Sequence, residues 1–237
     1  MLLPQSGALE LKEYRQHRFE RPQGATEILL VRHGESQPAN PDKPFPLVDG
    51  QGDPALGEVG KAQAIRVGQR LQHLPIDSVY VTNLRRTQET AAPLCAHIGL
   101  TPTVTADLRE VHLGDWEGGI FRIKAQEQDP VFMRMQQEQR WDVIPGAESL
   151  QLLQERVQRG LDRIAASHPD QLIVAVVHGG VIGHIIARAT GAAPFAFNGA
   201  NNGSISHIVM HAGNIIVRGF NDSCHLEPSA VFSKEGS

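Results

Sequence analysis

Two histidines carry the strongest chemical signal in this chain. His33 closes the run Leu29-Leu30-Val31-Arg32 and is followed by Gly34-Glu35; His178 closes Val174-Ala175-Val176-Val177 and is followed by Gly179-Gly180. Such apolar runs read as strands buried on both faces, as in the centre of a parallel sheet. In open α/β sheets the carboxyl ends of those strands border the ligand crevice. Glycine after each histidine lets backbone approach a ligand, and a helix N-terminus just beyond favours an anion. Arg32 sets a fixed cation beside His33. Two imidazoles and a guanidinium so placed make a site for a phosphoryl group. One His-Gly pair is usually only a turn; two at strand ends, one next to arginine, weigh against that plainer explanation.

The elements that must carry these residues follow from periodicity and breakers. Glu27–Val31 is expected to be a buried strand, and Gln37–Asp53, with Pro38, Pro41, Pro44 and Pro46, a loop. Ala64, Val67, Leu71 and Leu74 fall on one helical face. Asp77–Val81 is a short strand, and Leu84–Ile98 a helix that Pro93 should kink or break. Residues 120–140 are polar and helix-prone, interrupted at Pro130: an excursion from the core with the makings of a lid. Glu148–Ala166 is helical, with a stripe of Leu152, Leu153, Val157, Leu161 and Ile164. Gln171–Val177 is a strand, Val181–Ala189 a helix, and Ile205–Met210 with Ile215–Phe220 a hairpin turning at Ala212-Gly213. Alternating β and α units predict an α/β fold, with a doubly wound, mostly parallel sheet and helices on both faces. Residues 1–25 are expected to form an N-terminal arm, 26–220 one domain, and 221–237 a C-terminal tail.

Composition narrows the function. With 237 residues and 41% apolar content the chain can bury a core without staples. Cys95 and Cys224 show no CxxC spacing, which speaks against a zinc ribbon or a disulfide scaffold and points to a reducing, cytoplasmic setting. No apolar run approaches a membrane span, and residues 1–25 lack the apolar core of a secretory signal. A net charge of −4 gives no ground for nucleic acid or an anionic membrane as partner. Other motifs fail on context. Gly50-Gln51-Gly52-Asp53-Pro54-Ala55 matches GxGxxA but contains Pro54 and follows a proline-rich loop. Gly60-Lys61 lacks the rest of a Walker loop, no GxSxG elbow occurs, and neither cysteine has an arginine six residues on. His207 and His211 would suit a metal on a helix, but Ile205, Ile208 and Val209 around them predict a strand.

The motifs LLVRHGES, LRRTQETA, LREVHLGDWEG, PGAESL, VVHGG and NNGSIS occur in that order. Together they resemble the histidine phosphatase superfamily, in the branch of the cofactor-dependent phosphoglycerate mutases and their phosphatase relatives, over about residues 26–220. The resemblance implies phosphoryl transfer through a phosphohistidine. His33 matches the nucleophile, and Arg32 and Arg86 match the phosphate clamp. His178 matches the second histidine, which bonds phosphoryl oxygens, and Glu110 the acid that protonates the leaving oxygen. Gly179 is placed to offer its backbone N–H. Asn40 falls in the loop where the family carries a phosphate-touching asparagine, displaced here by Pro38-Ala39. Neighbours on a helix point about 100° apart, so Arg85 is expected on the surface. Glu117 is the rival acid, expected instead to be structural; Asn202 and Ser204 are either site or turn residues.

Phosphatase is the expected activity, on a small phosphorylated substrate and without cofactor or metal, because the clamp arginines and His178 meet the phosphoryl charge. LGDWEG and HGG resemble the phosphatase relatives, where the mutases carry HYGxLxG and HGN. The alternatives are a phosphoglycerate mutase-type transfer and a non-catalytic phospho-ligand-binding member. The last is disfavoured because all five motif residues are present. Self-association into a homo-oligomer is left open.

Overall fold

The computed structural model describes residues 14–226; the remainder of the expected arm and tail lies outside them. In chain order the elements are β1 (Thr26–Arg32), β2 (Leu47–Val48), β3 (Gln51–Gly52), α1 (Glu58–Leu71), β4 (Ser78–Val81), α2 (Arg85–Ile98) and β5 (Thr103–Val104), then α3 (Ile120–Gln126), α4 (Pro130–Glu138), α5 (Leu150–Ser167), β6 (Leu172–Val177), α6 (Gly179–Thr190), β7 (Ile205–His211) and β8 (Asn214–Asp222). Six strands form one sheet in the order β5-β4-β6-β1-β7-β8. β1, β4, β5 and β6 pair in parallel, and β7 pairs antiparallel with both β1 and β8.

The alternation of strand side chains divides the core in two. Ile28 and Leu30 of β1 with Ile173, Ala175 and Val177 of β6 face one cluster, completed by Leu153, Val157 and Leu161 of α5 and Ile182 and Ile186 of α6. Leu29 and Val31 with Leu172, Val174 and Val176 face the other, against Val67 of α1 and Leu94 of α2. Apolar residues at consecutive positions are what a strand covered on both faces demands. β6 lies between β4 and β1, and all six of its residues are buried.

Register then decides the site. Arg32 stands opposite Val177, and the His33 amide donates to the Val177 carbonyl at 3.0 Å. His33 and His178 therefore leave the sheet side by side. The closing hairpin turns through Ala212 (φ 49°) and Gly213 (φ 76°), the double left-handed pair of a tight two-residue connection.

Several expectations are corrected. Leu74 lies beyond α1, which ends at Leu71, and is 37% exposed. Leu152 points to solvent; Leu153, Val157, Gly160, Leu161 and Ile164 form the buried stripe of α5. Of the kink or break expected at Pro93, the break does not occur: α2 runs from Arg85 to Ile98 with Pro93 inside it. Pro93 packs at the crossing with α1, where a side chain on Gly68 would stand 3.2 Å from its Cβ. Pro130 starts a helix more than it breaks one: it sits at the first turn of α4, with Asp129 accepting the Val131 amide as N-cap. The 120–140 segment is part of the core, since Phe121, Val131 and Phe132 pack on the first cluster and Met135 is fully buried. Within the proline-rich loop, β2 and β3 pair as a hairpin that periodicity is too short to show.

Candidate active site

A cavity of about 260 Å³ opens at the carboxyl edge of the sheet. Arg32, His33, Arg86, Glu110, Glu117 and Arg122 are among its polar lining, and Phe45, Trp116, Phe121 and Trp141 among its apolar walls.

His33 is 5% exposed. Its Nδ1–H donates to the Gly34 carbonyl at 2.7 Å, and its Nε2 accepts from Arg86 Nε at 3.2 Å. That pairing puts the ring proton on Nδ1 and the free electron pair on Nε2. Burial, then the charges of Arg86 and Arg32, hold its pKa well below 6.5. The turn Asn201–Ser204 clamps the backbone behind it. Arg32 N–H donates to the Ser204 carbonyl, Gly203 N–H to the Arg32 carbonyl, and Asn202 Nδ2 to the His33 carbonyl at 2.9 Å. Asn202 thus holds the His33 main chain; Ser204 is fully buried beside it.

Arg86 is 7% exposed and also donates to the Gly52 carbonyl at 2.9 Å. Arg85, one position earlier, lies outside and pairs with Glu89 at 2.5 Å. Arg32 donates through Nη1 to the Ala200 carbonyl. Its Nε–H and the Nδ1 of His178 are buried and have no hydrogen-bond partner among the described residues. Burial lowers the pKa of both Arg32 and Arg86, and the Glu110 carboxylate opposes that shift in each.

His178 lies behind His33, with ring centroids 5.3 Å apart, and is fully buried rather than part of the cavity wall. Its Nε2 meets Thr82 Oγ1 at 3.1 Å, while the Leu84 amide donates to that same hydroxyl oxygen. With the Thr82 hydroxyl as donor, the His178 proton sits on Nδ1. Burial first, then Arg86, keeps this imidazole neutral well below pH 6.5.

The glycines after the two histidines make room for protein groups as much as for a ligand. A Cβ on Gly34 would stand 2.4 Å from the Gly60 carbonyl oxygen at the start of α1. A Cβ on Gly179 would meet Arg32 Nε at 3.1 Å, and one on Gly180 would meet Glu110 Oε1 at 2.6 Å. Glu110 fits because position 180 has no side chain; its Oε2 accepts the Gly180 amide at 3.3 Å.

Of the other candidates, Glu117 also lines the cavity, while Asn40, His207 and His211 do not. Asn40 is exposed, does not line the cavity, and its Oδ1 accepts the Asp42 amide at 2.9 Å, so it shapes a surface turn and the structure does not bring it to the phosphate-binding group. Both Glu117 oxygens accept backbone amides, from Leu113 at 2.8 Å and Gly52 at 2.7 Å, as both Glu110 oxygens do from Val111 at 3.0 Å and Gly180 at 3.3 Å; the Glu117 bonds are the shorter. His207 and His211 lie on β7, and among the described residues no group of three His, Cys, Asp or Glu is placed to hold a metal ion. Arg122 is a cavity cation that sequence motifs did not flag. It donates to Ser36 Oγ at 2.6 Å and to the Gln37 carbonyl at 2.8 Å, with Phe45 below its guanidinium.

Residues 28–223 match the histidine phosphatase superfamily (branch 1), and the chain belongs to that family. Within it the chain falls in the phosphoglycerate mutase-like group and is a histidine-type phosphatase. It is 39% identical over 167 residues to phosphoglycerate mutase-like protein 4 of Arabidopsis thaliana, covering 69% of this chain and 70% of that one. It is 31% identical over 216 residues to the metal-independent phosphoserine phosphatase of the same plant, covering 89% and 87%. Among solved structures, a mycobacterial glucosyl-3-phosphoglycerate phosphatase superposes with a TM-score of 0.68 at 27% identity, over 84% of this chain and 100% of the other.

Proposed function

We propose that this protein hydrolyses phosphate monoesters of small metabolites through a phosphohistidine on His33. One observation carries the reading: the Gly34 carbonyl accepts a hydrogen bond from Nδ1–H, so the electron pair lies on Nε2, where Arg86 Nε–H meets it at 3.2 Å, beside a cavity lined by Arg32, Arg86, Arg122 and the carboxyl groups of Glu110 and Glu117. In the first step Nε2 attacks phosphorus in line. The bond to the ester oxygen breaks, and Glu110 gives that oxygen a proton. In the second step Glu110, now a carboxylate, takes a proton from water. The hydroxide oxygen attacks phosphorus, the P–N bond breaks, and inorganic phosphate leaves with His33 neutral again.

The buried, unpartnered donors Arg32 Nε and His178 Nδ1 support a role in meeting phosphoryl oxygens, since buried donors call for acceptors. The small cavity supports a small substrate, as it falls below the usual range of roughly 300–1,000 Å³ for ligand sites. The free thiols Cys95 and Cys224 support a reducing, cytoplasmic setting. The shared sheet between both core clusters supports one domain over 26–220. A mutase runs the same first step and returns the phosphoryl group to product, and the relative named for phosphoglycerate mutase keeps that second reading in view.

Purified protein and a panel of phosphorylated hydroxy acids, amino acids and sugars separate the two. Net phosphate release is expected on at least one, unchanged by EDTA because the arginines and His178 meet the charge. Isomerisation of 3-phosphoglycerate without phosphate release, dependent on 2,3-bisphosphoglycerate, would establish the mutase instead. Collapse on chelation, restored by a divalent cation, would overturn the metal-free step. Arginine phasing gives a second test. Arg86→Ala is expected to slow phosphoenzyme formation by roughly 10²–10³-fold, as for loss of one preorganised donor. Arg85→Ala, which breaks a surface pair, should leave the rate within about twofold. Equal losses would move the clamp off position 86.

A further inference from the structure

Glu110 stands on chain with little regular structure of its own. A single 3₁₀ turn, Ala106–Leu108, precedes it, and residues 109–112 belong to no helix or strand. Yet a group that must deliver a proton has to be held within hydrogen-bond reach of the leaving oxygen. Its carboxyl oxygens accept the Val111 amide at 3.0 Å and the Gly180 amide at 3.3 Å, and the main chain that carries it is held from α5. Arg156 Nη1 donates to the carbonyls of Asp107 at 3.0 Å and Arg109 at 2.7 Å. Its Nη2 donates to the Glu110 carbonyl at 2.9 Å and to Glu148 Oε2 at 2.8 Å, and its Nε to Glu148 Oε1 at 2.7 Å.

All five N–H donors of one guanidinium are therefore engaged, three on the backbone that carries Glu110 and two in a bidentate pair with Glu148. Both side chains are largely buried, at 16% and 11% exposure. Glu148 is itself tied to that stretch: its amide donates to the His112 carbonyl at 2.9 Å. A second donor, Gln51 Nε2, meets the Glu110 carbonyl at 2.6 Å. Three carbonyl dipoles converging on one point repel each other unless a cation sits there.

We propose that Arg156, oriented by Glu148, is a positioning residue that sets the Glu110 carboxyl group for proton delivery. The proposal rests on Glu110 being the general acid. It predicts that loosening the Arg156–Glu148 pair selectively harms substrates that need protonation. An ammonium cannot span three carbonyls and a carboxylate, so Arg156→Lys keeps the charge and loses the fork.

The test is kcat/KM for an alkyl and an aryl phosphate in wild type, Arg156→Lys, Glu148→Gln and Glu110→Gln. For a covalent route kcat/KM reports events up to alcohol release, so dephosphorylation does not enter. Arg156→Lys and Glu148→Gln are expected to lower the alkyl value by about tenfold or more, within the range of general-acid effects, and the aryl value by less than about threefold. The alkyl-to-aryl ratio is independent of how much of a weakened variant is folded, so partial unfolding does not obscure the result. Equal losses on both esters, or none, with Glu110→Gln still selective, would overturn the positioning role and leave Glu110 as the acid. If Glu110→Gln is itself unselective, the acid assignment fails and the proposal falls with it.

Discussion

His33→Ala is expected to abolish the phosphoenzyme and lower kcat/KM by at least about 10⁴-fold, the scale seen when a covalent nucleophile is removed from a triad-type site. The remaining arginines can bind phosphate but offer no electron pair. Rapid quench with labelled substrate checks this: the wild type should yield an acid-labile, base-stable adduct, as expected of a phosphoramidate, and the variant none. An adduct of wild-type yield in His33→Ala would assign the nucleophile elsewhere. The same residue governs the acid side of the pH profile. His33 attacks only when neutral, and burial with Arg86 and Arg32 depresses its pKa well below 6.5. As pH falls through 6.5 the imidazole therefore stays neutral, and activity should persist until pH nears the depressed value. Removing the Arg86 charge relieves the repulsion, so the acid limb of Arg86→Ala should move to higher pH. A wild-type limb at or above 6.5 would contradict this electrostatic picture. Because His33 and His178 influence each other, the limb reports a macroscopic value.

Glu110→Gln is expected to be the second largest loss, about 10²–10⁴-fold for an alkyl phosphate. An alkoxide is a poor leaving group and needs its proton as the P–O bond breaks; an aryl oxide needs it less. The loss for the aryl ester should accordingly be smaller in kcat/KM. In kcat the aryl ester should lose its advantage once dephosphorylation limits turnover, since the same carboxylate must then take the proton from water. The measurement is kcat/KM against pH for both esters in wild type and variant. An equal loss for both would remove Glu110 from the acid role, and Glu117, the other carboxyl group lining the cavity, would be tested next.

Much of this molecule could be read from short-range pattern. Apolar residues at every position of Ile28–Val31 and Leu172–Val177 require cover on both faces, and that requirement points to a parallel sheet with histidines at strand ends. Arg86 and Arg85 could be told apart because the angular step of a helix is local geometry; the structure places one in the cavity and the other on the surface. Ala212-Gly213 announces its turn by the backbone it permits. What was not legible depends on contacts between distant segments. No local signal makes β6 the neighbour of β1 across some 145 residues, yet that pairing alone sets His178 5.3 Å from His33. Leu152 and Leu153 are equally apolar, and only the packing of α5 on the sheet decides which is buried. Asn40 lay in the expected loop, but the turn it caps at the surface keeps it from the cavity. Gly180 carries no sign of its reason until Glu110 is found where its side chain would be. Arg156 belongs to no catalytic motif; its importance arises where a helix meets the main-chain carbonyls of a loop. Sequence thus determined which residue types could perform the chemistry and on which elements they stand, because periodicity and backbone preference are properties of neighbours. The tertiary structure decided which of them meet, because strand order, burial and main-chain hydrogen bonding between remote segments are settled only when the whole chain packs.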